Sequence, residues 1–163
     1  ADCENDGGED SVVKMGGAEQ GDTAHSGLFE SPGHGNRWRA WSLTGTKSNR
    51  AGIGARIRVR VGQKGGAERD IYRTVSTGGS FGGNPFRQHI GLGKADRVLG
   101  VEVRWAGSGT VQQFREVPLD SWYRVQADSP MMKKVSLQPL VFRSLSAGAF
   151  WLGITSYGPL PSV

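Results

Sequence analysis

The sequence predicts an all-β protein, either an antiparallel β-sandwich or a small barrel of about six to eight short strands with little helix. Short segments alternate apolar and polar side chains with a period of two residues, the pattern of a strand with one buried face. Glycine, at 26 of 163 residues, clusters between these segments, where turns are expected. No segment keeps the spacing of an amphipathic helix over three turns.

Seven segments have the strand pattern. In chain order they span residues 11–15, 37–43, 55–61, 69–76, 99–107, 109–117 and 121–127. Segment 55–61 alternates without interruption, since its odd-numbered residues are apolar and its even-numbered residues are arginines. The glycines just after it predict a hairpin turn to the next strand. The aromatic residues expected mainly in the core are Trp38, Trp41, Trp105, Trp122 and Tyr123.

Charge divides the chain into an acidic beginning and a basic body. Residues 1–32 hold eight acidic residues and one lysine, a net charge of −7, whereas residues 33–163 hold 19 basic and seven acidic residues, a net charge of +12. This asymmetry predicts regions with different roles. We expect an acidic loop and linker over 1–32, a β domain over 33–128, and a tail over 129–163 in which edge strands are one option. The sequence has no run of about 18 apolar residues, the length that a membrane-spanning helix requires.

The acidic beginning has the spacing of a calcium loop. Counted from Asp2, acidic residues stand at positions 1, 3, 5 and 9, and a glycine at position 6 permits a sharp turn. The predicted Ca²⁺ ligands are the side chains of Asp2, Glu4, Asp6 and Asp10 and the carbonyl of Gly8. An EF-hand is excluded, because its position 12 requires a bidentate Glu and no helix is predicted beside the loop. The alternative is a solvated acidic loop that binds no metal.

Three blocks further along carry a family resemblance. They read GTKSNRAGIGARIRV (45–59), GGSFGGNPFRQHIGLG (78–93) and ADRVLGVEVRWAGSGTVQQF (95–114), and in this order they resemble the ASPIC/UnbV domain. The acidic loop and the apolar run after it resemble the calcium loop of FG-GAP repeats, which typically precede that domain. The resemblance implies a β domain that follows a calcium-binding propeller in an extracellular or periplasmic protein. The resemblance does not imply an enzyme.

The signature residues of these blocks are expected to be structural. They are Asn49, Gly52, Gly54, His89, Gly91, Gly93 and Trp105. Asn49 should hydrogen-bond nearby backbone with little side-chain exposure, and His89 should pack or hydrogen-bond in a turn before Gly91. Arg50 has two interpretations: it pairs with an acid such as Asp96, or it stays open for an anion.

Sequence motifs for catalysis or zinc binding are weak. The single cysteine and three histidines (His25, His34 and His89) have no metal-ligand spacing, and the one cysteine excludes an intrachain disulfide. A triad of Ser80, His89 and Asp96 lacks a nucleophile elbow around the serine. We therefore predict that the protein is not an enzyme.

The arginines Arg56, Arg58 and Arg60 permit two interpretations. They form a solvated strand face partly paired with acids such as Glu102, or a platform for an anionic polysaccharide or an acidic protein. The preferred function is a non-enzymatic binding or adhesion module of a secreted calcium-binding protein. The alternatives are an accessory domain of a larger enzyme, a basic binder of nucleic acid or anionic polysaccharide, or a structural cap on a propeller. Base stacking needs exposed aromatics beside a basic groove, which the sequence does not clearly show. The sequence predicts no oligomeric state.

Overall fold

The computed structural model describes residues 2–3, 5–14, 26–78, 83 and 85–138. Within these ranges the chain forms ten strands and no helix. The strands are β1 (Ser11–Val13), β2 (Gly27–Phe29), β3 (Arg37–Thr44), β4 (Arg56–Gly62), β5 (Arg69–Thr74), β6 (Gln88–Gly93), β7 (Arg97–Arg104), β8 (Val111–Phe114), β9 (Ser121–Gln126) and β10 (Met132–Val135). The chain divides into a terminal unit, Ala1–Glu30 with Gln138–Val163, and a central unit, Ser31–Leu137.

In the terminal unit, β1 and β2 form a two-stranded antiparallel ladder in which Ser11 lies opposite Phe29. Most of their side chains are exposed. The predicted strand 11–15 is observed over Ser11–Val13, and Met15 lies outside the described residues. Residues 139–163 of the predicted tail also lie outside them.

The central unit is a sandwich of two four-stranded sheets around one apolar core, as the sequence predicts. The first sheet has the order β10-β9-β3-β6 and the second has the order β5-β4-β7-β8. One pair departs from the antiparallel arrangement, because β3 and β9 are parallel. These two strands are distant in the chain and are not joined by a hairpin, so nothing imposes antiparallel pairing on them.

β4 is the central strand that the alternating pattern predicts. Ile57, Val59 and Val61 are buried in the core, and the arginines between them point to the outer face. The predicted hairpin joins β4 to β5, with Val61 opposite Arg69. On the other side β4 pairs with β7, and a register shift after Arg60 leaves one additional residue on β7.

The sandwich has eight strands, within the predicted six to eight, but three of the ten strands in the described residues were not expected. β2 and β10 are short, and β10 supplies an edge strand within the predicted tail. A turn was expected before Gly91, whereas β6 spans Gln88–Gly93. In this strand the side chains of Ile90 and Leu92 are buried in the core. Two apolar residues two positions apart are therefore sufficient to form a strand when β3 provides a partner. Among the described residues, no helix is long and apolar enough to cross a membrane.

Candidate functional site

The outer face of the second sheet displays side chains in rows across the strands. The first row, which we call the basic row, consists of Thr74, Arg56, Arg104 and Val111. The second row consists of Tyr72, Arg58, Glu102 and Gln113, and the third contains Asp70, Arg60 and Gly100. The second and third rows are each balanced in charge, whereas the basic row has two positive charges and no negative one.

Two of the three predicted arginines are neutralised locally. Arg58 Nη2 lies 3.2 Å from Glu102 Oε2, which confirms the predicted cross-strand pair. Gln113 Nε2 donates to the same oxygen at 3.2 Å. Arg60 Nη2 lies 3.0 Å from Glu68 Oε2, an acid in the β4–β5 connection. Each contact places a carboxylate beside the guanidinium and offsets its charge within the protein.

Arg56 and Arg104 form the site that remains. They lie directly opposite each other on β4 and β7, and within the described ranges neither has an acidic side chain at ion-pair distance. Like charges directly opposite on neighbouring strands destabilise a sheet. The Arg56 guanidinium lies 4.5 Å from the ring centroid of Tyr72, which is 48% exposed. Sequence reasoning missed Arg104 and Tyr72, since only the register places them beside Arg56.

The loop between β3 and β4 is a rigid structural element. Asn49 Oδ1 accepts hydrogen bonds from the backbone N–H of Ala51 at 3.0 Å and of Ile53 at 3.3 Å, which confirms the predicted bonding. The expected low exposure of Asn49 is wrong, because the residue is exposed while it makes both bonds. Gly52 has φ of 70°, and a Cβ there would lie 2.6 Å from Leu43 Cβ, so this position requires glycine. Gly54 also has a positive φ, 86°.

Arg50 is exposed and, within the described part of the chain, has no acidic partner. The predicted pairing with Asp96 does not occur. The Asp96 carboxylate instead accepts a hydrogen bond from the backbone N–H of Lys64 and lies 4.0 Å from Arg97 Nη1. Arg50 is therefore available to an anion, which was the other interpretation of this residue.

The remaining signature residues support the sandwich. His89 packs as expected, but it lies in β6 rather than in a turn, and its ring stacks on Trp38 with a centroid separation of 5.1 Å. Gly91 and Gly93 lie in the same strand. Trp105 is buried, and its indole N–H donates to Gln112 Oε1. The serine of the weak catalytic triad, Ser80, lies outside the described residues.

Arg39 is a buried cation that sequence reasoning did not identify. It is 0% exposed in β3, and its guanidinium carbon lies 4.4 Å from the ring centroid of Tyr123 and 5.4 Å from that of Trp41. Burial lowers the pKa of Arg39 to about 10, while the nearby Tyr123 and Asp120 oppose that change. The alternation of residues 37–43 indicates this burial, because Arg39 lies on the same face of the strand as Trp41 and Leu43.

The acidic loop closes on itself through its carboxylates. Asp10 Oδ2 accepts from Cys3 N at 2.7 Å, and Asp6 Oδ1 accepts from Gly8 N at 2.6 Å. Asp2 and Asp10 are both buried, at 7% and 4% exposure. In the described part of the chain, no three His, Cys, Asp or Glu side chains converge as metal ligands, and the predicted ligand Glu4 lies outside it. The calcium site stays a prediction.

Comparison with known proteins identifies one family. The model of the family described as ASPIC and UnbV matches residues 45–130, which is more than half of the chain. The matched range includes the loop at Asn49, the basic row and the strands from β4 to β9. No curated protein matches this chain.

Proposed function

The chain belongs to the ASPIC and UnbV family, and we propose that its central unit is a non-enzymatic module that binds an anionic polysaccharide. The domain of this family is a β domain found in larger proteins, so the module would serve as the binding part of such a protein. The observation that carries the proposal is the basic row, in which Arg56 and Arg104 lie side by side without an acidic partner among the described residues.

A polymer suits this surface better than a small molecule does. The two guanidinium groups lie on an open sheet face, where each one can offer paired N–H donors to a sulfate or carboxylate. The Arg56 side chain is oriented by its contact with Tyr72, whose exposed ring adds an apolar surface of the kind on which a sugar ring packs. A single contact on an exposed face contributes little affinity, so repeated anionic groups along a chain are needed.

Fluorescence titration with a labelled sulfated polysaccharide tests the proposal. We expect the double variant Arg56→Gln/Arg104→Gln to weaken binding at least about tenfold near 0.1 M salt, because two charge-assisted contacts are lost. The matched control, Arg58→Gln/Arg60→Gln, removes the same charge from arginines already paired with Glu102 and Glu68. Its affinity should fall less than about threefold. Equal losses in the two double variants would contradict a site at the basic row.

Nucleic acid is the competing ligand class, because residues 33–163 carry a net charge of +12. A labelled DNA duplex should bind more weakly than the polysaccharide at the same salt concentration. Tighter binding of the duplex, with the same dependence on Arg56 and Arg104, would contradict the polysaccharide assignment and favour the nucleic-acid function.

We also propose that the acidic loop binds Ca²⁺ and that the protein works outside the cytoplasm, as the terminal domain of a propeller-type protein. The support is the burial of the carboxylates of Asp2 and Asp10, since buried carboxylates favour a nearby cation. Millimolar Ca²⁺ should raise the melting temperature of the native chain, as measured by calorimetry. The Asp10→Asn substitution should remove most of that increase. No increase in the native chain would contradict the metal site.

A further inference from the structure

A polar pocket of about 480 Å³ lies where the first sheet meets the loop between β3 and β4. It is lined by Thr44, Gly45, Thr46, Ser48, Arg50 and Gln126. Thr44 and Gln126 are register partners at the ends of the parallel strands β3 and β9. A volume of this size is within the range of small-molecule sites, roughly 300–1,000 Å³. The pocket shares no residue with the basic row.

The wall of this pocket is held in place before any ligand arrives. Gly45 N donates to Arg50 O at 3.1 Å, which closes the loop on itself. Asn49 fixes the following turn through its two bonds to backbone N–H groups. Ala127 N donates to Thr44 O at 2.9 Å and joins the end of β9 to the end of β3. A preformed wall reduces the entropy lost on binding a small ligand.

The polar side chains of the pocket determine which hydrogen-bonding groups a ligand must carry. The Thr46 hydroxyl donates to Asp128 Oδ2 at 2.9 Å, and the Ser48 hydroxyl donates to Ser108 Oγ at 3.1 Å. Both hydroxyl protons are therefore used, and the two oxygens retain lone pairs that accept hydrogen bonds. Arg50 offers only donors and a positive charge. The complementary ligand carries an anionic acceptor for Arg50 together with hydroxyl donors for Thr46 and Ser48.

We propose that this pocket binds a hydroxylated carboxylate, specifically a uronic acid sugar, with its carboxylate on Arg50 and its hydroxyl groups on the oxygens of Thr46 and Ser48. A uronate satisfies both requirements in one small ring. Acetate and sulfate supply an anionic acceptor without hydroxyl donors, and glucose supplies the hydroxyl groups without the anion.

Amide chemical shifts of the whole chain, followed by NMR during titration with glucuronate, test this assignment. Glucuronate should shift the amides of residues 44–50 and 126–128 with saturation, whereas acetate, sulfate and glucose at equal concentration should bind at least about tenfold more weakly. Arg50→Gln should weaken glucuronate binding by a similar factor. The Arg50→Gln variant should keep the native fold, because the hydrogen bond between Arg50 and Gly45 is made by backbone atoms. Arg124→Gln, an exposed arginine of β9 outside the pocket, is the matched control and should bind normally.

Three results would overturn the assignment: equal binding of sulfate or acetate, equal binding of glucose, or an unchanged affinity in Arg50→Gln. The basic row is tested separately by the polysaccharide titration. Loss of glucuronate binding in Arg50→Gln with retained polysaccharide binding identifies two sites. Unchanged glucuronate binding in Arg56→Gln/Arg104→Gln is expected, because neither arginine lines the pocket.

Discussion

Replacing Arg39 by methionine should make the protein more stable. The guanidinium is fully buried beside Trp41 and Tyr123, and none of its three side-chain nitrogens makes a hydrogen bond of good geometry within the described residues. A buried charge that lacks hydrogen bonds is destabilising relative to an apolar side chain of similar size. Methionine is long and unbranched, so it can fill the space that the arginine side chain leaves.

The size of the effect follows from the pKa of Arg39. The lowering of this pKa from the ordinary arginine value to about 10 means that burial disfavours the charged form in the folded state. At about 1.4 kcal/mol per pKa unit, the penalty is roughly 3 kcal/mol. Methionine removes this penalty but also loses the two cation–π contacts, each worth about 0.5–2 kcal/mol. At about 1 kcal/mol for each contact, the expected net stabilisation is about 1 kcal/mol.

Urea unfolding followed by tryptophan fluorescence measures this change, with Arg39→Ala as the control for volume. Alanine removes the same charge but leaves a cavity, so it should destabilise the protein by about 2–4 kcal/mol. Because the folded-state pKa is the lower one, unfolding free energy of the native protein should also rise with pH above about 10, and this rise should be absent in Arg39→Met. A loss of more than about 1 kcal/mol in Arg39→Met would refute this reasoning, because it would mean that the buried guanidinium stabilises the fold.

Two further substitutions test the packing by urea unfolding. Gly52→Ala should destabilise the protein by about 1–3 kcal/mol more than Gly65→Ala, since the two glycines have nearly equal φ, 70° and 72°, and only Gly52 has a neighbour that an added Cβ would strike. Equal losses would contradict the clash. Gln112→Ala should cost about 1–3 kcal/mol, because it leaves the buried indole N–H of Trp105 without its acceptor. Gln113→Ala, at the exposed neighbouring position, should cost less than about 0.5 kcal/mol. Similar losses in Gln112→Ala and Gln113→Ala would contradict a stabilising role for the Trp105–Gln112 hydrogen bond.

The sequence predicts the elements whose pattern is local. β4 is recognisable because its alternation continues through seven residues, and the hairpin to β5 follows from the glycines between them. β6 was missed because its glycines also suit a turn, and only the pairing with β3 makes the segment a strand. The parallel contact of β3 with β9 has no local signal, since strands distant in the chain carry no turn between them.

The candidate site was predicted only in part for the same reason. The arginines of β4 were identified from the sequence, but their partners depend on registers with β5 and β7. Glu102 was expected to pair with this arginine face, and the structure shows that its partner is Arg58. The pairing of Arg56 with Arg104 depends on the register between two strands more than 40 residues apart in sequence, and a shift of one residue would turn every side chain to the other face. Sequence patterns do not determine such a register.

The salt dependence of polysaccharide binding tests the proposed role of the basic row most directly. Binding through guanidinium contacts releases condensed counterions, so the logarithm of the association constant falls linearly with the logarithm of salt concentration. Replacing both Arg56 and Arg104 by glutamine should reduce the magnitude of that slope by about two, one unit for each lost contact. An unchanged slope in the double variant would show that the polysaccharide binds elsewhere on the protein and would contradict the proposed site.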